Sequence, residues 1–298
     1  MKWEFLGLAL VCHVVKLVFR AGAWRAIVRA AYPDERFKFR SAFGAYVAGV
    51  GVNSIVPARG GDVVKMYLAK HRLPEASYAT LAPTLVVETM FDFVTAGALV
   101  VWALASGVLP TRQFYSRIPG VDWKFVLAHT RFTVELLGVL LLAALVAFLW
   151  ARLRVERFWA HVRQGFAILG DRPRFLRSVI FPQAISWVFR LASLFFFLKA
   201  FGVTATVHNA LLAQVVDSLA TLFPATPGGA GTKQGLTEFI FRGRGASHTL
   251  LLAFSVGMNI AIVVTNLLLG LAAIGLMAKT LSFKRVRAAS RDEQEQPA

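Results

Sequence analysis

Long apolar segments constrain this chain more than any other feature of its sequence. Five of them lie at 3–19, 83–108, 132–150, 178–201 and 250–279. A helix needs about 20 apolar residues to cross a bilayer, and these segments reach or approach that length. A helix also satisfies its backbone hydrogen bonds within one segment, as the bilayer core requires. The sequence therefore predicts an all-α, polytopic integral membrane helix bundle.

Composition supports the same fold class and excludes several functions. Hydrophobic residues make up 57% of the chain and charged residues 16%, against roughly 25% charged in soluble domains. The net charge is +17, but the basic residues flank apolar runs, where they set topology and meet anionic headgroups. We therefore expect membrane lipids as partners and no nucleic acid. The single Cys12 lies in an apolar run, and no metal site, cofactor motif or catalytic constellation is predicted.

The distribution of basic residues predicts the orientation. Six Lys or Arg residues lie within 20–40, seven Arg within 151–177 and five basic residues from Lys279 onward, and these regions are expected to be cytoplasmic. The first run lacks a cleavage site and is expected to be a retained span. The prediction is a plasma (inner) membrane protein with its N-terminus outside and its C-terminus inside. Residues 1–281 would form one membrane domain, and 282–298 a disordered cytoplasmic tail.

Two shorter apolar stretches, 41–57 and 207–224, end in Pro and Gly clusters that cannot continue a helix. We interpret both as broken or re-entrant segments, which are tolerated at membrane depth only inside protein or beside a cavity. The first ends in SIVPARGG at 54–61, and the second in the similar TLFPATPGG at 221–229.

This similarity predicts an inverted repeat. The halves would be 3–108 and 178–279, joined by the span at 132–150. Paired interrupted segments in corresponding places indicate the binding site of a transporter. The alternative is that the two motifs mark unrelated turns.

The chemistry of the two motifs suits an anionic lipid headgroup. Glycines allow close approach of the backbone, and a following helix offers free N–H groups to an anion. Arg59, Lys65 and Lys233 add positive charge near these helix starts. Asp62 either belongs to this site or caps the helix that follows.

Several charged residues lie within the apolar runs. Glu88 and Asp92 are four residues apart and share one helical face, and Arg190 lies midway along 178–201. Because charges are costly at this depth, we hypothesise a buried pair between Arg190 and one of the two carboxylates. The alternative is that these side chains lie nearer a membrane surface and reach it.

Other polar features leave two interpretations open. His13, Lys16 and Arg20 form a stripe on one face of the first span, which is either a snorkelling cation set or a track for an anionic headgroup. Residues 153–171 predict either an interfacial amphipathic helix or a linker. Asp217 and Glu238 flank the second motif without a specific role.

Three short elements follow one another along the chain: the motif Asn53-x-x-x-Pro57-Ala58-Arg59-x-Gly61-Asp62-Val63-Val64-Lys65, then Val87-Glu88, then Pro227-Gly228-Gly229-Ala230-Gly231. Together they resemble the lysylphosphatidylglycerol synthase transmembrane (flippase-like) family. The resemblance covers nearly the whole chain. In that family, members with a soluble domain make aminoacylated phosphatidylglycerol there and move it with the membrane domain. Stand-alone members resemble translocation factors for lipids or lipid-linked sugars.

The chain also departs from the family pattern. Lys65 and Thr89 stand where the family usually has Arg, and a late-span Arg is missing near Met258. These departures affect any headgroup preference that the resemblance implies. The resemblance also places the start of the chain close to the family's second span, so we expect one N-terminal helix of the pattern to be absent.

Motifs and resemblance together predict a protein that translocates an anionic or amphipathic lipid, such as a phospholipid or a polyprenyl-linked sugar. The alternatives are a membrane component of an aminoacyl or glycosyl headgroup transferase and a scaffold for a separate lipid-modifying enzyme. About 20 residues follow the last span, against about 100 for a domain, so no enzymatic domain is expected. The residues predicted to bind the lipid are Asn53, Pro57, Arg59, Gly60, Gly61, Asp62, Lys65, Glu88, Asp92, Arg190, Pro224, Pro227, Gly228, Gly229 and Lys233.

Overall fold

A computed structural model describes residues 1–56, 59–106, 156–222, 231–241 and 246–292, and within these ranges it contains helices and no strand. Among the described residues, four helices are long and apolar enough to cross a membrane: Trp3–Ala31, Tyr78–Ala103, Arg172–Phe201 and His248–Met277. The prediction of an all-α, polytopic membrane protein is confirmed. The predicted span at 132–150 lies outside the described residues.

Eight of the helices in the described ranges form two sets of four with the same order of lengths: long, short, short and long. The first set is α1 (Trp3–Ala31), α2 (Phe39–Asn53), α3 (Gly60–Lys70) and α4 (Tyr78–Ala105). The second set is α6 (Arg172–Phe201), α7 (Val207–Leu222), α8 (Thr232–Phe241) and α9 (His248–Asp292). A short helix between the sets, α5 (Glu156–Gly165), lies within the predicted amphipathic stretch. Helix α9 extends past residue 281, where the sequence predicted the membrane domain to end.

The first helices of the two sets, α1 and α6, run antiparallel. The Ser193 hydroxyl donates to the carbonyl oxygen of Ala9 at 2.8 Å, and the Ser186 hydroxyl donates to that of Lys16 at 3.2 Å. Residue numbers therefore rise along one helix as they fall along the other. The two sets of helices consequently begin at opposite ends of the bundle.

The pair α2–α3 begins and ends on the same side of the bundle. The N–H of Ser77, after α3, donates to the Tyr32 hydroxyl at 2.9 Å, and the N–H of Glu75 donates to a carboxylate oxygen of Glu35 at 2.9 Å. Tyr32 and Glu35 lie in the loop before α2. The chain thus enters the bundle through α2 and returns to the same side through α3, as expected for a broken segment.

Proline and glycine account for two of the helix ends. Pro33 follows the last residues of α1, and a residue before proline is biased away from helical backbone. Gly202 ends α6 with φ of 79°, and the next N–H, of Val203, donates to the carbonyl oxygen of Leu198 at 3.0 Å. This left-handed glycine cap turns the chain directly into α7.

The two largest hydrophobic clusters of the described residues combine helices from both sets. One joins residues of α1 to α4 with Ala273 and Met277 of α9. The other joins residues of α6 to α9 with Ala9 of α1 and Ala103 of α4. Each of these two clusters therefore includes the last helix of the opposite set. A third, smaller cluster joins α1 and α4 to the start of α6 through Ala23, Ile27, Val87 and Val179.

Candidate functional site

A carboxylate on α4, Glu88, lies at the centre of a first charged cluster. Its side chain is 5% exposed. Arg20 of α1 donates to Oε1 at 3.0 Å, Tyr46 of α2 donates to the same oxygen at 2.9 Å, and Lys65 of α3 donates to Oε2 at 2.5 Å. Four helices of the first set thus meet at one buried carboxylate, and both of its oxygens are satisfied.

Asp92, one turn after Glu88, extends this cluster towards the second set of helices. The Arg20 guanidinium lies 2.5 Å from an Asp92 oxygen, so one arginine bridges both carboxylates. The indole N–H of Trp187 on α6 donates to Asp92 at 3.1 Å, and the Gln183 amide donates to the carbonyl oxygen of Glu88 at 3.1 Å. These contacts tie α4 to α6 at the level of the charges.

Aromatic rings enclose the ammonium group of Lys65. Its Nζ lies 4.3 Å from the ring centres of both Trp24 and Tyr46. Such cation–π contacts stabilise a cation that has lost its water. Lys65 is therefore held against Glu88 by two rings as well as by charge.

A second cluster surrounds Asp217 of α7. Arg190 of α6 lies 2.6 Å from one Asp217 oxygen, and Lys233 of α8 lies 2.6 Å from the other. The three side chains are 15–23% exposed, so this cluster is more open than the one at Glu88. The Arg190 guanidinium also lies 5.2 Å from the ring centre of Trp187, whose N–H binds Asp92. Trp187 therefore stands between the two clusters.

The cations of the two clusters occupy corresponding positions in the two sets of helices. Arg20 and Arg190 lie on the first helices, and Lys65 and Lys233 lie on the short helices that follow the glycine motifs. The Arg-to-Lys separations are 45 residues (65 − 20) and 43 residues (233 − 190). The carboxylate differs, because it comes from α4 in the first set and from α7 in the second.

Lys16 of α1 lies between the clusters. It precedes Arg20 by four residues, one turn or about 6 Å along the same face. On the side of the second cluster, Lys16 interacts electrostatically with Arg190, Asp217 and Lys233. Its side chain is partly exposed, and its ammonium group makes no hydrogen bond or ion pair with the described residues. Among the described residues, Lys16 is therefore a cation without a carboxylate of its own.

A neutral polar chain continues the stripe of α1 beyond Lys16. His13 Nε2 lies 2.8 Å from the side-chain oxygen of Asn266 on α9, and the Asn266 amide donates to the Ser54 hydroxyl at 3.1 Å. Ser54 follows the end of α2. Polar side chains thus continue along α1 from Arg20 to His13, and Asn266 connects His13 to Ser54.

The chain matches the family described as the lysylphosphatidylglycerol synthase TM region over residues 1–270. It belongs to this family. The resemblance seen in its motifs is confirmed, and the chain is a multi-pass membrane protein of a family connected with lipid modification or transport. No curated protein and no solved structure matches it.

The first motif of this family member holds two helices together. The Asn53 side-chain oxygen accepts a hydrogen bond from the Gly61 N–H at 2.7 Å, and its amide lies 3.4 Å from Asp62. Asn53 therefore caps α3 from the preceding helix, so one N–H that the sequence offered to an anion is already used. Asp62 pairs with Arg59 at 3.4 Å, and the side chain of Arg59, at the N-cap position of α3, makes no cap hydrogen bond.

Close backbone packing requires the glycines of this motif. A Cβ on Gly61 would overlap the carbonyl oxygen of Gly49 in α2, and a Cβ on Gly60 would lie 2.7 Å from the Val56 side chain. Arg59, just before them, has φ of 60° and a side chain that is 58% exposed. Gly61 thus allows α2 and α3 to touch, whereas the sequence suggested close approach of a ligand.

The remaining predicted site residues are Pro57 of the first motif and residues within or just after the second motif. Lys233 lies in the second cluster, as described. The prolines and glycines predicted to bind lipid at the turns lie outside the described residues: Pro57, Pro224, Pro227, Gly228 and Gly229.

The hypothesis that Arg190 pairs with Glu88 or Asp92 is wrong. Its ion pair is with Asp217, and both carboxylates of α4 pair with Arg20. Snorkelling of Arg20 is also not observed, because its side chain is 13% exposed and faces the interior. Our predicted set omitted Arg20, Lys16, Tyr46 and Asp217. The helical spacing of His13, Lys16 and Arg20 was the signal that could have identified the inner face.

Proposed function

We propose that this protein translocates an anionic lipid, with the headgroup bound by the cations of the two charged clusters and by Lys16, which lies between them. The observation that carries the proposal is a formal excess of positive charge. Five cations (Arg20, Lys65, Lys16, Arg190 and Lys233) share this interior with three carboxylates, those of Glu88, Asp92 and Asp217. Within the part of the chain that the structure describes, two formal positive charges are therefore left for an anion.

The cost of such an excess supports a functional role. A charged side chain at the centre of a membrane helix costs about 2.5–3.5 kcal/mol on insertion scales. Ion pairing with the three carboxylates offsets this cost for only part of the set. A phosphate group would accept charge-assisted hydrogen bonds from Lys16 and the neighbouring arginines.

The arrangement of the cations also suits movement of a headgroup. We propose that the two sets of helices form an inverted repeat, since α1 and α6 are antiparallel and carry corresponding arginines. Lys16 then lies between two equivalent Arg–Lys pairs that approach from opposite sides. Inverted repeats with a midplane site at broken helices are typical of alternating-access transporters. We further propose residence in the plasma membrane, with the N-terminus outside and the C-terminus cytoplasmic.

The carboxylates favour transport over headgroup transfer. Glu88 and Asp92 are the pair on which general acid–base chemistry would depend. Both bind Arg20, and Glu88 also binds Lys65 and Tyr46. A carboxylate whose two oxygens are both held by neighbouring donors is poorly placed for proton abstraction from a substrate.

The proposal is tested by lipid translocation in proteoliposomes. Fluorescent phosphatidylglycerol is incorporated, and an impermeant reductant quenches the outer leaflet. Lys16→Gln should slow translocation at least about tenfold, since a hydrogen bond to a charged group contributes about 1.5–3 kcal/mol. Lys38→Gln is the matched control, because Lys38 is exposed in the loop before α2.

Two results would contradict the proposal. Wild-type rates in the Lys16→Gln protein would remove the central cation from the mechanism. Equal transport of a zwitterionic phosphatidylcholine would show that the positive interior does not select the lipid. Modification of the headgroup by the detergent-solubilised protein would instead favour the transferase alternative.

A further inference from the structure

A cavity of about 460 Å³ lies apart from the two charged clusters, where α1 approaches its end and α6 begins. Three arginines line it: Arg25 and Arg29 of α1 and Arg174 of α6. Arg25 and Arg29 are five and nine residues beyond Arg20, or about 8 and 14 Å further along the helix. The cavity is therefore nearer a membrane surface than the Glu88 cluster.

The cavity is basic on one side and apolar on the other. Phe39 and Val18, at 38% and 36% exposure, belong to its lining with Gly22 and Pro182, and the described lining contains no Asp or Glu. An apolar wall beside arginines matches the boundary between acyl chains and headgroups.

The arginines keep donors free for a ligand. Arg25 uses its Nε to bind the carbonyl oxygen of Phe37 at 2.8 Å, and its two terminal amino groups have no partner among the described residues. Arg29 and Arg174 are exposed and form no ion pair within the described ranges. Asp171 accepts a hydrogen bond from the backbone N–H of Arg174 at 3.1 Å and not from its side chain.

The backbone beside the cavity is irregular. Residues Leu176–Ile180 form a π-helical turn at the start of α6, and Ser178 of this turn lines the cavity. Such turns are rare and occur frequently at functional sites. The turn places a hydroxyl in the lining beside Arg174.

We propose that this cavity is a second lipid site, which holds one anionic phospholipid at the membrane surface where α1 ends and α6 begins. Its phosphate would lie among Arg25, Arg29 and Arg174, with Ser178 as an additional donor. One acyl chain would lie against Phe39 and Val18. The lipid chemistry follows from charge complementarity and from the apolar wall, which a free phosphate would leave uncovered. The site is independent of the interior cations of the proposed translocation path.

Native mass spectrometry of the purified full-length protein, with phosphatidylglycerol added to the detergent, tests this site. Arg29→Gln/Arg174→Gln should remove one bound phosphatidylglycerol, with affinity at least about tenfold lower because charge-assisted contacts are lost. The double variant Arg36→Gln/Arg40→Gln is the matched control. It removes the same charge from exposed positions on the same side, outside the described lining of the cavity.

A second variant tests the cavity without changing its charge. A Cβ on Gly22 would touch only the Phe39 ring, at 3.9 Å, so Gly22→Leu begins without a clash and fills the space. It should also lose one bound lipid. If Gly22→Leu binds like wild type, the arginines are only a surface patch and the proposal is overturned. If this variant does not fold, as judged by circular dichroism, the exposed arginine variants decide the question alone.

Three further arms separate the alternatives. Unchanged lipid binding in Arg29→Gln/Arg174→Gln overturns the proposal, as does equal binding of phosphatidylcholine. Displacement of the lipid by millimolar inorganic phosphate would identify a free-anion site instead. Lys16→Gln should still bind the lipid at this cavity. Lipid binding at the cavity can therefore be interpreted even if the translocation proposal fails.

Discussion

Removing the Glu88 carboxylate should destabilise the protein because Lys65 loses its partner in the ion pair with Glu88. In Glu88→Gln, Arg20 keeps Asp92 at 2.5 Å. Lys65 loses the only carboxylate that lies within ion-pair distance among the described residues. Its side chain is 4% exposed, so it cannot regain water without rearrangement. Leaving one partner of a buried pair uncompensated costs about 3–5 kcal/mol, and we expect a loss of unfolding free energy in that range.

The pairing itself is tested with a double-mutant cycle. Lys65→Met keeps an unbranched side chain of similar length and removes the orphaned charge. Glu88→Gln/Lys65→Met should therefore recover about 2 kcal/mol relative to the sum of the single losses, as coupled neighbours do. The measurement is reversible unfolding by SDS in mixed micelles, followed by circular dichroism.

A matched cycle provides the control. Lys233→Met makes the same substitution at the corresponding lysine, which pairs with Asp217. Combined with Glu88→Gln it should be additive within about 0.5 kcal/mol, since the two lysines have no shared carboxylate. Additive losses in the Lys65 cycle, or equal coupling in both cycles, would refute the assignment of Lys65 to Glu88.

Two other predictions concern packing and topology. Gly61→Ala should destabilise the protein by about 1–3 kcal/mol in the same unfolding assay, because its Cβ overlaps a backbone oxygen of α2 and overpacking is costly. Gly97→Ala, with nothing within 4 Å of its Cβ, should be neutral or stabilising, and equal effects would contradict the packing. In a Cys12→Ala background, an impermeant thiol reagent outside intact cells should label Thr204→Cys and spare Glu75→Cys. Labelling of both would contradict the proposed inverted repeat.

Local sequence determined the parts of this fold that depend on one segment at a time. Apolar length predicted α4, α6 and α9, because the bilayer requires a minimum length of each spanning helix. The Pro-Gly motif predicted the break after α2, since neither residue type continues a helix. Family membership also followed from short motifs, each of which is a single local run of residues.

The partners of the buried charges depended on tertiary structure. Spacing along α4 showed that Glu88 and Asp92 share a face, but it could not show which helix that face meets. Because α1 packs antiparallel to α6, Arg20 faces the interior and pairs with Asp92, whereas Arg190 pairs with Asp217. A lone cation near the end of an apolar run is compatible with either snorkelling or burial. Arg20 is buried because two carboxylates from α4 lie within ion-pair distance of it. That proximity exists only after the helices have packed.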